Sequence, residues 1–207
     1  RREVRDGAGV YTWVASAPDG DPTRCYPNHL FAHEAGGTWR DPVRGPWVFV
    51  GRFRVDMQDP GQLRDDFLSL ITFQAAPPVD EPGHQNSWDA VVTINLDWSQ
   101  DAGGPRLNIF HVPGFDQGTY ERPDVRAFPM GRWVTIRVEW DRGNHIRVYQ
   151  DGDLVLRASK ETGQDANGAP LAVPDAELYG LLLGGYAGAK VTGWTIRNDD
   201  VVVAVRR

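Results

Sequence analysis

The chain holds a single cysteine, Cys25, among 207 residues. An intramolecular disulfide is excluded, so a fold of this length must be held by its buried core. Lysine is nearly missing as well: apart from Lys160 and Lys190, every basic side chain is arginine. No apolar run reaches the roughly eighteen residues of a membrane-spanning helix, and no membrane span is expected. A net charge of −6 argues against a nucleic-acid binder that works by neutralising phosphates. Helix signals are weak: the stretches 62–67, after Pro60-Gly61, and 174–179 offer one turn each. The opening Arg1-Arg2-Glu3, without Met, is the start expected of a processed chain.

What is present is strand alternation. Trp47–Asp56 (WVFVGRFRVD) sets Phe49, Phe53 and Val55 on one face and Arg52 and Arg54 on the other. Ala90–Trp98 sets Val92, Ile94, Leu96 and Trp98 against Val91, Thr93, Asn95 and Asp97, and Arg106–Val112 puts Leu107, Ile109 and His111 on a shared face. Leu68–Gln74 is a short apolar run, the pattern of a strand buried on both faces. Trp133–Asp141, His145–Gln150 and Asp153–Ala158 read as a meander, turned at Arg142-Gly143-Asn144 and at Asp151-Gly152. Leu178–Tyr186, Lys190–Arg197 and Val201–Val205 complete about nine or ten strands, the pattern of an all-β sandwich. One domain over residues 1–207 is expected. Ala75–Ser87 and Pro113–Met130 read as long loops, where function concentrates.

Eight tryptophans are distributed along these segments. Trp98, Trp133, Trp140 and Trp194 fall within strand patterns and are expected in the core. Trp39 and Trp88 lie among glycine or asparagine and, with Tyr120, are candidates for stacking on sugar rings. The arginine fork suits carboxylates such as those of acidic sugars; an arginine-favouring codon usage explains the same composition. His29, His33 and Glu34 are spaced as metal ligands on a helix would be, in a stretch that leaves room for at most two turns. Asn198-Asp199-Asp200 clusters oxygens for a hard cation, or caps a turn. Glutamate is scarce, and Glu139-Trp140-Asp141 runs into a turn without a second Glu, which disfavours a paired-carboxylate glycosidase.

The stretch GRWVTIRVEWDRGNHIRVYQDGDLVL, Gly131–Leu156, resembles the concanavalin A-like lectin/glucanase fold, whose members open a strand on Gly-x-Trp and follow it with a hairpin ending in a DG or NG turn. The resemblance implies an all-β jelly-roll sandwich of two curved antiparallel sheets. It also implies secretion and a structural Ca²⁺, for which Asp199 and Asp200 are the candidates. A narrower likeness is to jelly-roll polysaccharide lyases of the alginate-lyase kind, whose strands carry Arg-x-Glu, Gln-x-His and Lys-x-Gly-x-Tyr in that order. Arg52, Gln74 and Tyr186 keep that order, while Arg54, Ala76 and Leu182 stand where Glu, His and Lys belong.

This likeness implies Tyr186 as base or acid, Arg52 as carboxylate clamp and Gln74 as a further donor. His111 or His84 would replace the lost histidine. Arg54, Asn95, Trp39, Trp88, Tyr120 and His84 would line the sugar. The expectation is a monomeric, polysaccharide-interacting protein: a lyase cleaving an acidic glycan by β-elimination, a non-catalytic lectin-like module, or a laminin-G-like protein-interaction domain. The lyase reading requires Arg52, Gln74 and Tyr186 to share one cleft.

Overall fold

The computed structural model describes residues 2–5, 8–15, 30–31, 45–74, 91–112, 120–141, 143–164, 168–170, 173, 178, 180–187, 191 and 193–205. Within them lie twelve strands: β1 (Arg2–Arg5), β2 (Ala8–Ala15), β3 (Leu30–Phe31), β4 (Trp47–Met57), β5 (Leu68–Gln74), β6 (Val91–Ser99), β7 (Gly104–Val112), β8 (Trp133–Asp141), β9 (His145–Gln150), β10 (Asp153–Ser159), β11 (Gly180–Ala187) and β12 (Trp194–Val205). They form a seven-stranded sheet, β1-β2-β12-β4-β8-β9-β10, and a five-stranded sheet, β3-β11-β5-β6-β7. Every named pairing is antiparallel. The turn expected after Pro60 is a short 3₁₀ helix, Pro60–Arg64, capped by Asp59.

Turn chemistry sets the registers. Asp151 and Gly152 both take positive φ, as a two-residue β9–β10 hairpin requires. The Asp151 carboxylate also accepts from the Thr135 amide at 2.8 Å, tying that turn to β8. Between β6 and β7, Gly103 at φ +68 closes a short loop, with its amide donating to the Gln100 carbonyl at 3.0 Å. That loop fixes Ser99 opposite Gly104 and hence Asn95 opposite Asn108.

The two sheets meet through aromatic rings. Phe73 of the five-stranded sheet inserts among Trp47 (4.8 Å), Phe49 (5.5 Å) and Trp140 (6.4 Å) of the seven-stranded sheet. Ile94, Leu96, Val134, Ile136, Val138, Trp194 and Ile196 fill the same core. Gly51 lies on the core face of β4, where the Phe49 and Phe53 rings close over it. A Cβ there would stand 2.9 Å from Phe49 Cζ and 3.0 Å from Phe53 Cε2. Gly51→Ala is therefore expected to lower unfolding free energy by about 1–3 kcal/mol through overpacking, read as a denaturation midpoint shifted at constant slope.

Residues 120–128 close one open side of the sandwich. Glu121 exchanges backbone hydrogen bonds with Arg157 on β10. The Tyr120 hydroxyl donates to the Ile109 carbonyl at 3.0 Å, and Arg122 donates to the Leu107 carbonyl at 3.0 Å, both on edge strand β7. Phe128 then drops into the core. The edge groups of β7 are thus covered rather than left to pair with another chain.

Two expectations are corrected here. Trp133 is not in the core: it alternates against Val134, Ile136 and Val138 and lies half-buried on the outside of the seven-stranded sheet. Asn198-Asp199-Asp200 is not a terminal turn but the middle of β12, which carries a bulge between Asp199 and Val202, with Asp200 at φ +51.

Candidate functional site

The sandwich has two outward faces, and they differ. On the seven-stranded sheet, Arg52, Arg54, Asp56, Arg197, Trp133, Arg137 and Glu139 face away from the core, and the charges are matched. Arg54 and Arg197 both hold Asp56, the latter at 2.6 Å. The Asp56 carboxylate keeps the Arg54 guanidinium above its ordinary pKa. Arg52 donates to Asp200 at 3.1 Å and lies over the Trp133 ring at 5.2 Å. Arg137 and Arg147 both meet Glu139. Among the described residues, Arg52, Arg54, Arg137, Arg147 and Arg197 on this face each have a carboxylate partner.

The outer face of the five-stranded sheet is built differently. Core residues Phe73, Val92, Ile94 and Ile109 fix the alternation, so the intervening positions face outward. The pairings then align Ser69, Asn95 and Asn108 in one row across β5, β6 and β7, with Tyr186 of β11 opposite Ser69. The next row is Leu182, Thr72, Thr93 and Phe110, and the one beyond it Gly180, Gln74, Val91 and Val112. Phe110 stacks on Phe67, with centroids 5.7 Å apart and planes at 29°. On the other side of the polar row, Arg106 pairs with Asp97 at 3.2 Å, and Asn108 donates to the second Asp97 oxygen at 2.7 Å.

Two atoms in the row are conspicuous. Asn95 is 1% exposed and Ser69 3% exposed, yet neither Asn95 Oδ1 nor Ser69 Oγ has a hydrogen-bond partner. Buried polar atoms are normally satisfied because leaving one bare costs about 1–3 kcal/mol. A row of such groups beside a stacked aromatic pair is arranged to meet hydroxyls and C–H faces together, which is what a sugar ring presents.

Arg122 stands at the rim of this row. Its guanidinium donates to Asn108 Oδ1 at 2.7 Å and to the Leu107 carbonyl at 3.0 Å. Burial, and then the neighbouring Arg106, lower its pKa to about 10. Its folded-state pKa thus lies below the ordinary value, so its charged form opposes folding below about pH 10 and that cost is relieved as pH rises further.

The residues singled out in the sequence divide accordingly. Gln74 and Tyr186 lie on adjacent strands at positions that alternate with core residues, and Asn95 sits in the polar row between them and β7. Arg52 is not brought to them. Its strand belongs to the other sheet, and its side chain points away from the core on the opposite side of the sandwich, beside Arg54. The order of motifs along a chain does not determine which sheet each strand joins. His111 pairs with Val92, whose side chain is in the core, so the backbone register does not set it in the Asn95 row. Tyr120 is packed against the core with its hydroxyl on the Ile109 carbonyl; it anchors the closing segment rather than projecting from it. Trp39, His84, Trp88, His29, His33 and Glu34 lie outside the described residues.

The Asp199 carboxylate accepts from the Asp200 amide, and the Asp200 carboxylate accepts from Arg52. Among the described residues no three His, Cys, Asp or Glu side chains form a group that could hold a metal ion, and no helix is long and apolar enough to cross a membrane. Ser69, Phe67, Asp97, Arg106, Asn108, Phe110 and Arg122 were not singled out in the sequence. Asp97 and Asn95 were visible as one polar face. Only the loop length at 100–103 shows which residues of β7 they meet.

Compared with known families and with curated proteins, the sequence gives no match. Solved structures do match in fold. The cellulose-induced protein Cip1 superposes with a TM-score of 0.56 at 14% identity, covering 97% of this chain and 80% of that one. The alginate lyase Aly36B gives 0.54 at 15%, covering 100% and 84%. A mutant of the same lyase in complex with an alginate tetrasaccharide gives 0.52 at 13%, again covering 100% and 84%. The chain has the concanavalin A-like jelly-roll fold. Identities this low carry the architecture and not the activity.

Proposed function

We propose that this protein binds a polysaccharide along the outer face of its five-stranded sheet. One observation carries the reading: a polar row containing two buried, unpartnered side-chain oxygens, Asn95 Oδ1 and Ser69 Oγ, with the stacked Phe67–Phe110 pair alongside. The alginate tetrasaccharide complex named among the structural neighbours is in keeping with a glycan ligand on this fold. The test is affinity electrophoresis or calorimetry against a panel of neutral and acidic polysaccharides. Asn95→Ala is expected to weaken binding about tenfold, or about 1.4 kcal/mol, with the thermal midpoint unchanged or raised because Oδ1 has no partner to lose. A loss of stability without a loss of affinity would contradict the reading.

The lyase reading with Arg52 as carboxylate clamp falls, because Arg52 stands on the other sheet; a reduced form without that clamp is left, on the register that puts Gln74 and Tyr186 on the neighbouring strands β5 and β11. Here Tyr186, as the phenolate, would take the proton from C5 of a uronate, the C4–O bond would break as the C4=C5 double bond forms, and the Tyr186 phenol would return that proton to the departing oxygen. The unsaturated chain end absorbs in the ultraviolet. Absorbance that rises on an acidic polymer and vanishes in Tyr186→Phe supports this reading. Binding without absorbance on alginate, glucuronan, pectate and heparin leaves a non-catalytic, lectin-like protein.

A further inference from the structure

We propose that Arg122 is the residue that reads an anionic substituent, a carboxylate or a sulfate ester, on the glycan bound at this face. The inference rests on the polysaccharide-binding reading and adds which chemical class of polymer is selected and by what group.

The geometry that assigns this role is a mismatch of charge. Among the described residues two guanidiniums, Arg106 and Arg122, stand at the polar row with one carboxylate, Asp97, between them. Arg106 takes that carboxylate, donating to Asp97 at 3.2 Å and to Ser99 Oγ at 3.1 Å. The other Asp97 oxygen is taken by Asn108. Arg122 is left with neutral acceptors only, the Leu107 carbonyl and Asn108 Oδ1, and no carboxylate lies within ion-pair distance of it among the described residues. A guanidinium carries five N–H donors in a planar fork, so donors beyond those two remain for an incoming anion. On the opposite face of the sandwich, by contrast, Arg52, Arg54, Arg137, Arg147 and Arg197 each have a carboxylate.

The two bonds that Arg122 does make fix its plane. Asn108 is itself held by Asp97, so the chain Asp97–Asn108–Arg122 orients the fork before any ligand arrives. The lowered pKa of Arg122 has the same origin: a half-buried charge beside a like charge, which an anionic ligand would relieve. Asn95 Oδ1 and Ser69 Oγ, the unpartnered atoms one strand and two strands away from Asn108 in the same row, supply the acceptors for the hydroxyls of the same sugar.

The test compares three ligands of matched length: a polyglucuronate oligomer, its carboxyl-reduced neutral counterpart, and a sulfated neutral glycan. Each is titrated into the full chain, the variants Arg122→Met and Arg122→Lys, and the control Arg197→Gln on the opposite face. Thermal midpoints are recorded throughout. The wild type is expected to favour an anionic ligand over the neutral one, with that preference declining as salt is raised. Arg122→Met is expected to lose about tenfold or more in affinity for the preferred anionic ligand while the neutral affinity holds. Arg122→Lys, which keeps the charge but not the fork, should fall between, and Arg197→Gln should match wild type. Whether the uronate or the sulfate ester is preferred identifies the anion.

Equal losses for neutral and anionic ligands in Arg122→Met would overturn the proposal, since they would make Arg122 a structural brace. So would a wild type that binds the neutral glycan best, although the site itself would then stand. A wild type that binds none of the three removes the binding face and the proposal with it. Should Arg122→Met fail to fold, the Arg122→Lys ratio of anionic to neutral affinity decides alone: an unchanged ratio overturns the assignment.

Discussion

Phe73→Ala is expected to destabilise the protein by about 3–5 kcal/mol, the largest effect of any single truncation we foresee. The ring is fully buried and is the one described aromatic of the five-stranded sheet that contacts Trp47, Phe49 and Trp140 across the sandwich. Its removal forfeits the transfer energy of the ring, leaves a void that rigid indole neighbours cannot collapse into, and breaks aromatic pairs worth about 0.5–1.5 kcal/mol each. For a domain of this size the thermal midpoint should fall by roughly 6–20 °C. Phe73→Leu should recover most of the loss. A midpoint within a degree or two of wild type for the alanine variant would show that the sheets are not joined at this point.

Asp97→Asn is the second large effect, and it links stability to the binding face. Among the described residues Asp97 is the single carboxylate serving Arg106, Asn108 and, at longer range, Arg122. Neutralising it leaves two half-buried guanidiniums facing each other, at an expected cost of about 1–3 kcal/mol. The loss should be conditional. Sulfate or phosphate should restore stability more in the variant than in wild type, because the vacated position becomes an anion site. The same substitution should tighten binding of anionic glycans at low salt, as two cations are then released for the ligand. Denaturation curves with and without sulfate check the first claim and titration with an acidic oligosaccharide the second. A variant that is destabilised and equally indifferent to sulfate would remove the arginine pair from the account.

Much of this fold was legible because alternation and turn chemistry agree. In the β8–β10 meander, Val134, Ile136 and Val138 state the buried face, and Asp151-Gly152 and Gly143-Asn144 state where the chain reverses. The same phase argument places Trp133 outside and Trp140 inside, seven positions apart and hence on opposite faces. A place within a strand pattern does not by itself put a tryptophan in the core; its phase against the apolar positions does. β1 was missed because Arg2-Glu3-Val4-Arg5 is a charged edge strand with no apolar face to announce it, and β3 because two residues carry no period. β12 read as two strands because Asn198-Asp199-Asp200 has turn composition; the structure absorbs it as a bulge.

The site was less legible than the fold. Asn95 could be reached from strand phase alone, whereas Gln74 and Tyr186 stood out only through the family likeness, since the pairing of β5 with β11 is itself long-range. Arg52 could not be placed, since its pairing with β8 and β12 is a long-range choice that no local pattern encodes. Arg122 gave no signal at all. It lies in an irregular segment, and its significance comes only from the charge balance around Asp97. That balance depends on the register of β6 against β7 and on residues 120–122 running along the β7 edge.

The central claim, that ligand is held by the outer face of the five-stranded sheet, is tested most directly by a crystal structure of the protein with an oligosaccharide that it binds in solution. Sugar density is expected along the Ser69–Asn95–Asn108 row, with a hydroxyl on Asn95 Oδ1 and an anionic group on Arg122. Density over Arg52 and Trp133 on the seven-stranded sheet, with the Asn95 row bare, would contradict it.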